Sequence, residues 1–400
     1  MTAIQLDRLN RVVAAAGRTE PYRRLWGGTA RPFRDLSELK RLPPITRAQL
    51  QESSFAKRLV PGRVADYTSV TSGTTGYILE IARTEDEQRF LRAALIRQWR
   101  FWGWTETELH LRFNLGVGRS APLTLNGLRA EVGASRPIPE QIAALEQIRP
   151  RRVVGPPSTL LEIADHLSRY PLEGVATFGE VLDPGARSEL RSAFGAEPLD
   201  FYGSSEAGTI AWQCPAEGSY HINADTVLVE IMDGDDGVKK GDEGEVIIST
   251  LWNETTPIVR YRTGDGASLS PEPCPCGIPL PVMSQVQGRR MDWVRHHDGR
   301  RVAPFRVFAI ISVPETRAVM RRFRFVQRAL DDCLMEVVWR GEPQPGLLES
   351  RSGRLSRLLG GPVNVEVRTV ESLPIQAGTV RLIESWVTDE GTGDSDGEDV

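Results

Sequence analysis

The chain has 400 residues, 40% hydrophobic and 26% charged, with a net charge of −4. That is more than one simple core holds, so two or three domains are expected. No run nears the ~18 apolar residues of a membrane span, and the balance of charge argues against a whole-chain electrostatic grip on nucleic acid.

The N-terminal segment carries charges and lacks an adequate apolar core for export, so a cytoplasmic location is expected. The first sixty residues read as helices joined by a proline loop, Leu42-Pro-Pro-Ile-Thr46, with Thr46 as N-cap of the next helix. A polar loop rich in hydroxyls and glycine follows, Thr68 to Gly76, and then a strand candidate over Tyr77–Ala82. Thr84 and Glu87 form a capping box that opens a helix. Leu91, Leu95, Trp99 and Trp102 share one face of it and read as core. From about residue 138 helices and strands alternate. The helix face is Ile138, Ile142, Leu145 and Ile148, and a strand lies at Val153-Val154. Ser158 caps the next helix, followed by a strand over Val175–Phe178, a helix over Asp183–Phe194 and a strand over Pro198–Tyr202. This alternation argues a mainly parallel sheet covered by helices, an α/β fold. After Gly208 the reading turns to hairpins, over Val227–Met232 and Gly244–Thr250, then a segment punctuated by proline and glycine. The expected organisation is a large N-terminal body over 1–288, with a β-rich part over 209–288. A small α+β domain follows over 289–387, and a disordered acidic tail over 388–400.

Four segments are suited to chemistry. In Thr71-Ser-Gly-Thr-Thr-Gly76, glycines let the backbone approach a polyphosphate while hydroxyls and N–H groups donate to it. Read alone, the same segment is equally an ordinary Ser/Thr/Gly turn. Phe201-Tyr-Gly-Ser-Ser-Glu-Ala-Gly208 ends a parallel strand, where ligands bind open α/β sheets. There an aromatic suits stacking on a base, and Glu206 suits magnesium near phosphates. A lone glutamate is otherwise simply solvated. Arg260-Tyr-Arg-Thr-Gly-Asp265 offers an aspartate for two vicinal ribose hydroxyls, or an aspartate favoured by turn geometry. Gly288-Arg-Arg-Met-Asp292 stands at the expected domain boundary, where a hinge belongs.

In order and spacing these segments resemble the adenylate-forming superfamily of acyl-CoA synthetases and adenylation domains, and more narrowly its phenylacetate–CoA ligase branch. Pro21-Tyr22, Leu42 to Thr46, Gly155-Pro-Pro-Ser158, Gly179-Glu180 and the Cys214-Pro215…His221…Cys274-Pro-Cys-Gly277 pattern carry the narrower resemblance. It implies an ATP-dependent acid ligase that forms an acyl-adenylate of an aryl or related organic acid. The acyl group then passes to coenzyme A or another acceptor. It implies a phosphate loop of Thr71, Ser72, Gly73, Thr74, Thr75 and Gly76. Gly179 and Glu180 would stand beside adenine, with Tyr202 stacked on it in the Tyr202-Gly203-Ser204 run. Ser205 and Glu206 would lie at the α-phosphate and magnesium, and Asp265 on the ribose with Arg289 close by. A hinge is implied at Met291 or Asp292. No nucleic-acid or membrane partner is expected.

Cys214, His221, Cys274 and Cys276 make a Cys₃His set of the kind that closes a tetrahedral structural zinc site. The other reading is buried small thiols with a hydrogen-bonded histidine. Members of the resembled branch can carry a metal here. Cys333 reads as core.

One departure stands out. Family members place a lysine after a glycine near the C-terminus, and here Leu373-Pro-Ile-Gln-Ala-Gly-Thr379 puts a threonine there. Only Lys40, Lys57, Lys239 and Lys240 are present among 49 basic residues, so no lysine after position 240 replaces it. Arg381 is displaced by two residues and is no compact ammonium. Three readings follow: a modified adenylating enzyme, an amide-forming ligase with an amine acceptor, or a catalytically impaired nucleotide- or acyl-binding relative. The acyl pocket is expected along Phe113–Ala121, Gly155–Ser158 and Phe178–Val181, with Arg119 either on a second anionic group or at the surface.

Overall fold

The computed structural model describes the chain except residues 1, 29–30, 71–78, 106, 115–123, 127–128, 135, 168–169, 235, 287–293, 300, 303–306, 308–309, 312, 375–381 and 388–400. The phosphate-loop candidates Thr71 to Gly76 therefore lie outside the described residues, as do Arg119, Arg289, Met291, Asp292, Thr379, Arg381 and the acidic tail. Two compact units are present: 1–182 with 189–286, and 183–188 with 287–400.

The larger unit is built on a nine-stranded sheet. Strands Arg129–Gly133, His110–Asn114, Arg152–Gly155, Gly174–Phe178 and Pro198–Ser204 lie side by side and parallel. Their apolar runs, such as Val153-Val154 and Val175-Ala176, suit strands buried on both faces. Gly208–Gln213, Tyr220–Ile222 and Val282–Met283 extend one edge antiparallel, and Thr124–Asn126 closes the other. The β-rich stretch after Gly208 is thus shared between two sheets. Val227–Asp233, Asp236–Gly237, Glu243–Thr250 and Tyr261–Ser268 form a separate antiparallel one.

Helix Glu85–Phe101 starts at the expected capping box, with Thr84 and Glu87 each accepting the other's backbone N–H. Trp99 and Trp102 from its face join Val154, Ala176, Phe201 and Trp212 in one core, with Leu95 against it. Leu9, Val12, Val13 and Ala16, spaced three and four apart on helix Thr2–Ala16, enter another core with Ile231, Val246 and Ile248.

Two local expectations change. Of the strand expected over Tyr77–Ala82, Tyr77 and Ile78 lie outside the described residues, and the described strand is Glu80–Arg83, paired antiparallel with Tyr67–Val70. Ser158 is not an N-cap: helix Pro157–Asp165 has Pro156 there, and Glu180 accepts from the Ser158 N–H instead. A remote carboxylate replaces a local cap because it meets both the free N–H and the helix's positive end.

The smaller unit has a four-stranded sheet in the order Asn364–Thr369, Asp332–Trp339, Met320–Gln327, Ile383–Ser385. Cys333 is fully buried in its core with Phe325, Met335 and Leu355. Among the described residues no helix is long and apolar enough to cross a membrane.

Candidate active site and metal centre

Strand Pro198–Ser204 turns sharply into strand Gly208–Gln213, with a register shift after Tyr202 and Ser204 opposite Gly208. The turn demands glycine twice. A Cβ on Gly203 would lie 2.6 Å from the Gly208 carbonyl oxygen, and Gly208 has φ +74°. Ser204 Oγ accepts from the Ala207 N–H at 3.2 Å, closing the turn. Glu206 is thereby folded inward and is only 3% exposed.

The acid so buried is held by two side chains the sequence reading did not single out. Arg47 donates to Glu206 Oε1 at 3.2 Å, and the Tyr261 hydroxyl donates to the same oxygen at 3.0 Å. Arg47 is the residue after the Thr46 cap, whose capping box with Gln49 forms. Backbone bonds from Ile45 N to Arg260 O and from Arg262 N to Ile45 O fix that loop against strand Tyr261–Ser268. Arg260, with φ +45°, pins it further by binding Glu230 and the carbonyls of Lys40 and Leu42. The signal was available: the Leu42–Thr46 loop and the Arg260–Asp265 segment both border these residues. Burial weakens Arg47's hold on its proton, but Tyr261 and Glu206 outweigh it and the pKa is raised. Burial, and then Glu206, lifts the Tyr261 phenol well above its usual range.

Tyr202 and Asp265 meet as a pair, the hydroxyl donating to Asp265 Oδ2 at 2.6 Å. Burial first and Asp265 second raise the Tyr202 pKa strongly. Asp265 sits in a turn where its own N–H donates to Thr263 Oγ1 and the Gly264 N–H donates to Glu245. Arg83, also unforeseen, donates to Ser69 Oγ at 2.6 Å and to the Ser205 carbonyl at 2.7 Å. It ties strand Tyr67–Val70 to the turn that carries Glu206.

Gly179 has φ +80°, and beside it both Glu180 oxygens are engaged by Ser158, from its N–H at 2.9 Å and its hydroxyl at 2.8 Å. The segments Gly155–Ser158 and Gly179-Glu180 are thus one bonded corner at the ends of neighbouring strands. The arrangement groups a buried carboxylate, an aspartate beside a phenol, and strand ends of an α/β sheet, where ligands characteristically bind.

The four metal candidates also converge. The ligand atoms of Cys214, His221, Cys274 and Cys276 all lie within 4.8 Å of one another. Cys214 Sγ and Cys274 Sγ are 3.9 Å apart, and Cys276 Sγ is 3.3 Å from His221 Nε2. Three cysteine sulfurs and one imidazole gathered in this way are the donor set of a closed tetrahedral zinc site, so their chemistry fits that metal. Burial, partly offset by the Leu280 backbone, lowers the His221 pKa and so keeps its imidazole neutral.

The chain matches no protein-family model. It is 27% identical over 368 residues to phenylacetate–coenzyme A ligase of Thermus thermophilus, covering 84% of this chain and 81% of that one. It is 28% identical over 251 residues to fumarate–(S)-2,3-diaminopropanoate ligase of Enterobacter agglomerans, covering 58% and 61% respectively. Its fold matches the crystal structure of 2-hydroxyisobutyryl-CoA ligase in the postadenylation state with TM-score 0.78 at 19% identity, covering 95% of this chain and 88% of that one. By its sequence relatives the chain is a phenylacetate–CoA ligase-like, AMP-forming ligase, and its fold is that of a solved acyl-CoA ligase.

Proposed function

We propose that this protein uses ATP to join an organic acid to AMP and then passes the acyl group to coenzyme A or another nucleophile. The observation that carries this is the shared site of Glu206, held by Arg47 and Tyr261, and the Tyr202–Asp265 pair. A carboxylate oxygen attacks the α-phosphorus and pyrophosphate leaves; the acceptor then attacks the acyl carbon and AMP leaves. In this reading Asp265 holds the ribose, with Tyr202 against adenine and fixing the carboxylate. Gly179 and Glu180 border the base, and Gly203 and Ser204 shape the turn. Ser205 and Arg289 stand by the α-phosphate, and Thr71, Ser72, Gly73, Thr74, Thr75 and Gly76 surround the outer phosphates. Magnesium, when bound, spreads phosphate charge; it is commonly held by one or two carboxylates plus the phosphates, so Glu206 suffices as its protein ligand. The small domain 289–387 turns about Met291 or Asp292 between the two half-reactions. Cys214, His221, Cys274 and Cys276 hold a structural zinc.

The test is magnesium-dependent pyrophosphate release over a panel of acids, with Glu206→Gln as control. Release that is abolished by the substitution is expected. Release at an unchanged rate would remove Glu206 from the chemistry.

An amine acceptor is the second reading. Thr379 in place of the family lysine favours a departure from the usual route, and one relative bears a name that joins an acid to an amino acid. Product with an amine and none with coenzyme A would select it.

A further inference from the structure

Arg112 lies on the central strand His110–Asn114, in register with Val154, which is in register with Ala176, and that with Leu199. Registered residues of a parallel sheet share a face, so these side chains point the same way. Phe178 and Phe201, two residues further along their strands, share that face and stack at 5.4 Å. The Arg112 guanidinium reaches over Phe178, 4.4 Å from the ring centre. The ring beneath it stacks on Phe201, which belongs to the strand that continues into Tyr202 and the turn with Glu206.

Among the described residues no carboxylate is bonded to this charge; Glu131, in register with Arg112 on the neighbouring strand, is taken by Arg129. Among the described residues Arg112 has no carboxylate and no hydrogen-bond partner, and its Nε is buried. Its charged neighbour is another cation, Arg129, which is itself paired with Glu131. Burial, and then Arg129, lowers the Arg112 pKa to about 9. Yet the side chain is only half-buried, so part of it remains open to solvent. A cation ringed by protein, without a counter-ion and beside a stacked aromatic pair, is poorly explained by stability, because an uncompensated charge opposes folding. It is well explained as one half of an ion pair whose other half arrives with a ligand, since a guanidinium fork matches a carboxylate with two parallel bonds.

We propose that Arg112 recognises a second carboxylate on the acid to be activated, so that the preferred substrates are short dicarboxylic acids, aliphatic or aromatic. This rests on the carboxylate-activating reading above and narrows its substrate class. The partly exposed Phe178, backed by Phe201, would line the carbon skeleton between the two carboxylates.

The experiment compares matched acids in the pyrophosphate assay: succinate against butyrate, and phthalate against benzoate. The wild-type protein should favour the diacid of at least one pair by tenfold or more in kcat/KM. Arg112→Met should erase that preference through a rise in KM for the diacid, with the monoacid unchanged, and Arg112→Lys should restore part of it. Equal use of both members of each pair, or a preference that survives Arg112→Met, would overturn the proposal. A second readout separates specificity from structure: without acids, Arg112→Met should melt no lower than wild type, and a lower melting point would make Arg112 a structural residue instead. If neither class of acid gives pyrophosphate, the carboxylate-activating reading itself has failed. Thermal shift with the same four acids then decides for Arg112. A diacid-specific stabilisation that Arg112→Met removes would keep its role as a carboxylate site, and no such stabilisation would end it.

Discussion

Removing the Arg47 guanidinium would leave the Glu206 carboxylate buried with the Tyr261 hydroxyl but without its cation. Breaking one side of a buried pair costs about 3 kcal/mol, because the abandoned charge stays desolvated. Arg47→Met should therefore lower the urea midpoint markedly. Adding Glu206→Gln should recover part of the loss, since the charge that needed Arg47 is gone. A double variant no more stable than Arg47→Met would show that the two residues do not act as a pair. His110 gives the residue scale a pH signature. It is 7% exposed, edge-on to Trp99, and burial followed by Arg129 lowers its pKa from 6.5 to about 4. The unfolded chain then binds the proton more readily than the folded one, so stability is full above pH 6.5 and falls as pH drops from 6.5 towards 4. That window is worth roughly 3 kcal/mol at most. His110→Gln should flatten the stability profile across it, measured by urea unfolding at stepped pH. An unchanged slope between pH 4 and 6.5 would assign the acid limb to other groups.

At the scale of elements, the capping box at Thr84 and Glu87 was legible because its partners are three residues apart. What was not legible is that Glu87 also binds the loop at 254–255, accepting from Glu254 N at 2.7 Å, Thr255 N at 3.1 Å and Thr255 Oγ1 at 2.8 Å. Those partners are 167 and 168 residues away in sequence, where no local periodicity reaches. Thr84→Ala should cost about 1 kcal/mol, the value of a cap. Glu87→Ala should cost about 2–3 kcal/mol, because buried N–H groups on a second segment lose their acceptor. Equal losses by chemical denaturation would mean that the loop contacts contribute nothing. The same limit explains the candidate site. Glu206 and Asp265 were found from their motifs, but Arg47 and Arg83 were not. They reach the site because one loop is laid against it by long-range backbone bonds and one hairpin by the Thr256 hydroxyl, which bonds both the N–H and the carbonyl of Ala82. Glu180 shows the converse: its motif was visible, while its hold on Ser158 depends on two neighbouring strand ends meeting.

For the whole molecule, alternation of helices and strands was enough to indicate the α/β class, and the stretch after Gly208 read as β-rich without naming the sheets its strands join. In the structure Gly208–Gln213, Tyr220–Ile222 and Val282–Met283 go to the edge of the large sheet. Strand periodicity names a strand but not the sheet it joins; that is decided by which edge is open and by what ties distant segments together. Holding a metal, the Cys₃His set would be such a tie. It would link the end of strand Gly208–Gln213 and strand Tyr220–Ile222 to the loop before Val282–Met283, across 60 residues from Cys214 to Cys274. The edge strand it would secure is only two residues long and holds few ladder bonds of its own. Closing a long loop with a metal removes freedom mainly from the unfolded chain, so zinc should matter more for stability than for the chemistry at Glu206. Purified protein should hold about one zinc per chain by elemental analysis. Cys276→Ser should lose it and melt several degrees lower, while ATP binding is weakened far less than by Asp265→Ala. Under a chelator, hydrogen exchange should quicken in 208–222 and 269–283 and stay unchanged in Met320–Gln327 and Asp332–Trp339, which belong to the other unit. Zinc-free protein with the same melting point and the same exchange pattern would reduce the four residues to buried thiols beside a neutral histidine.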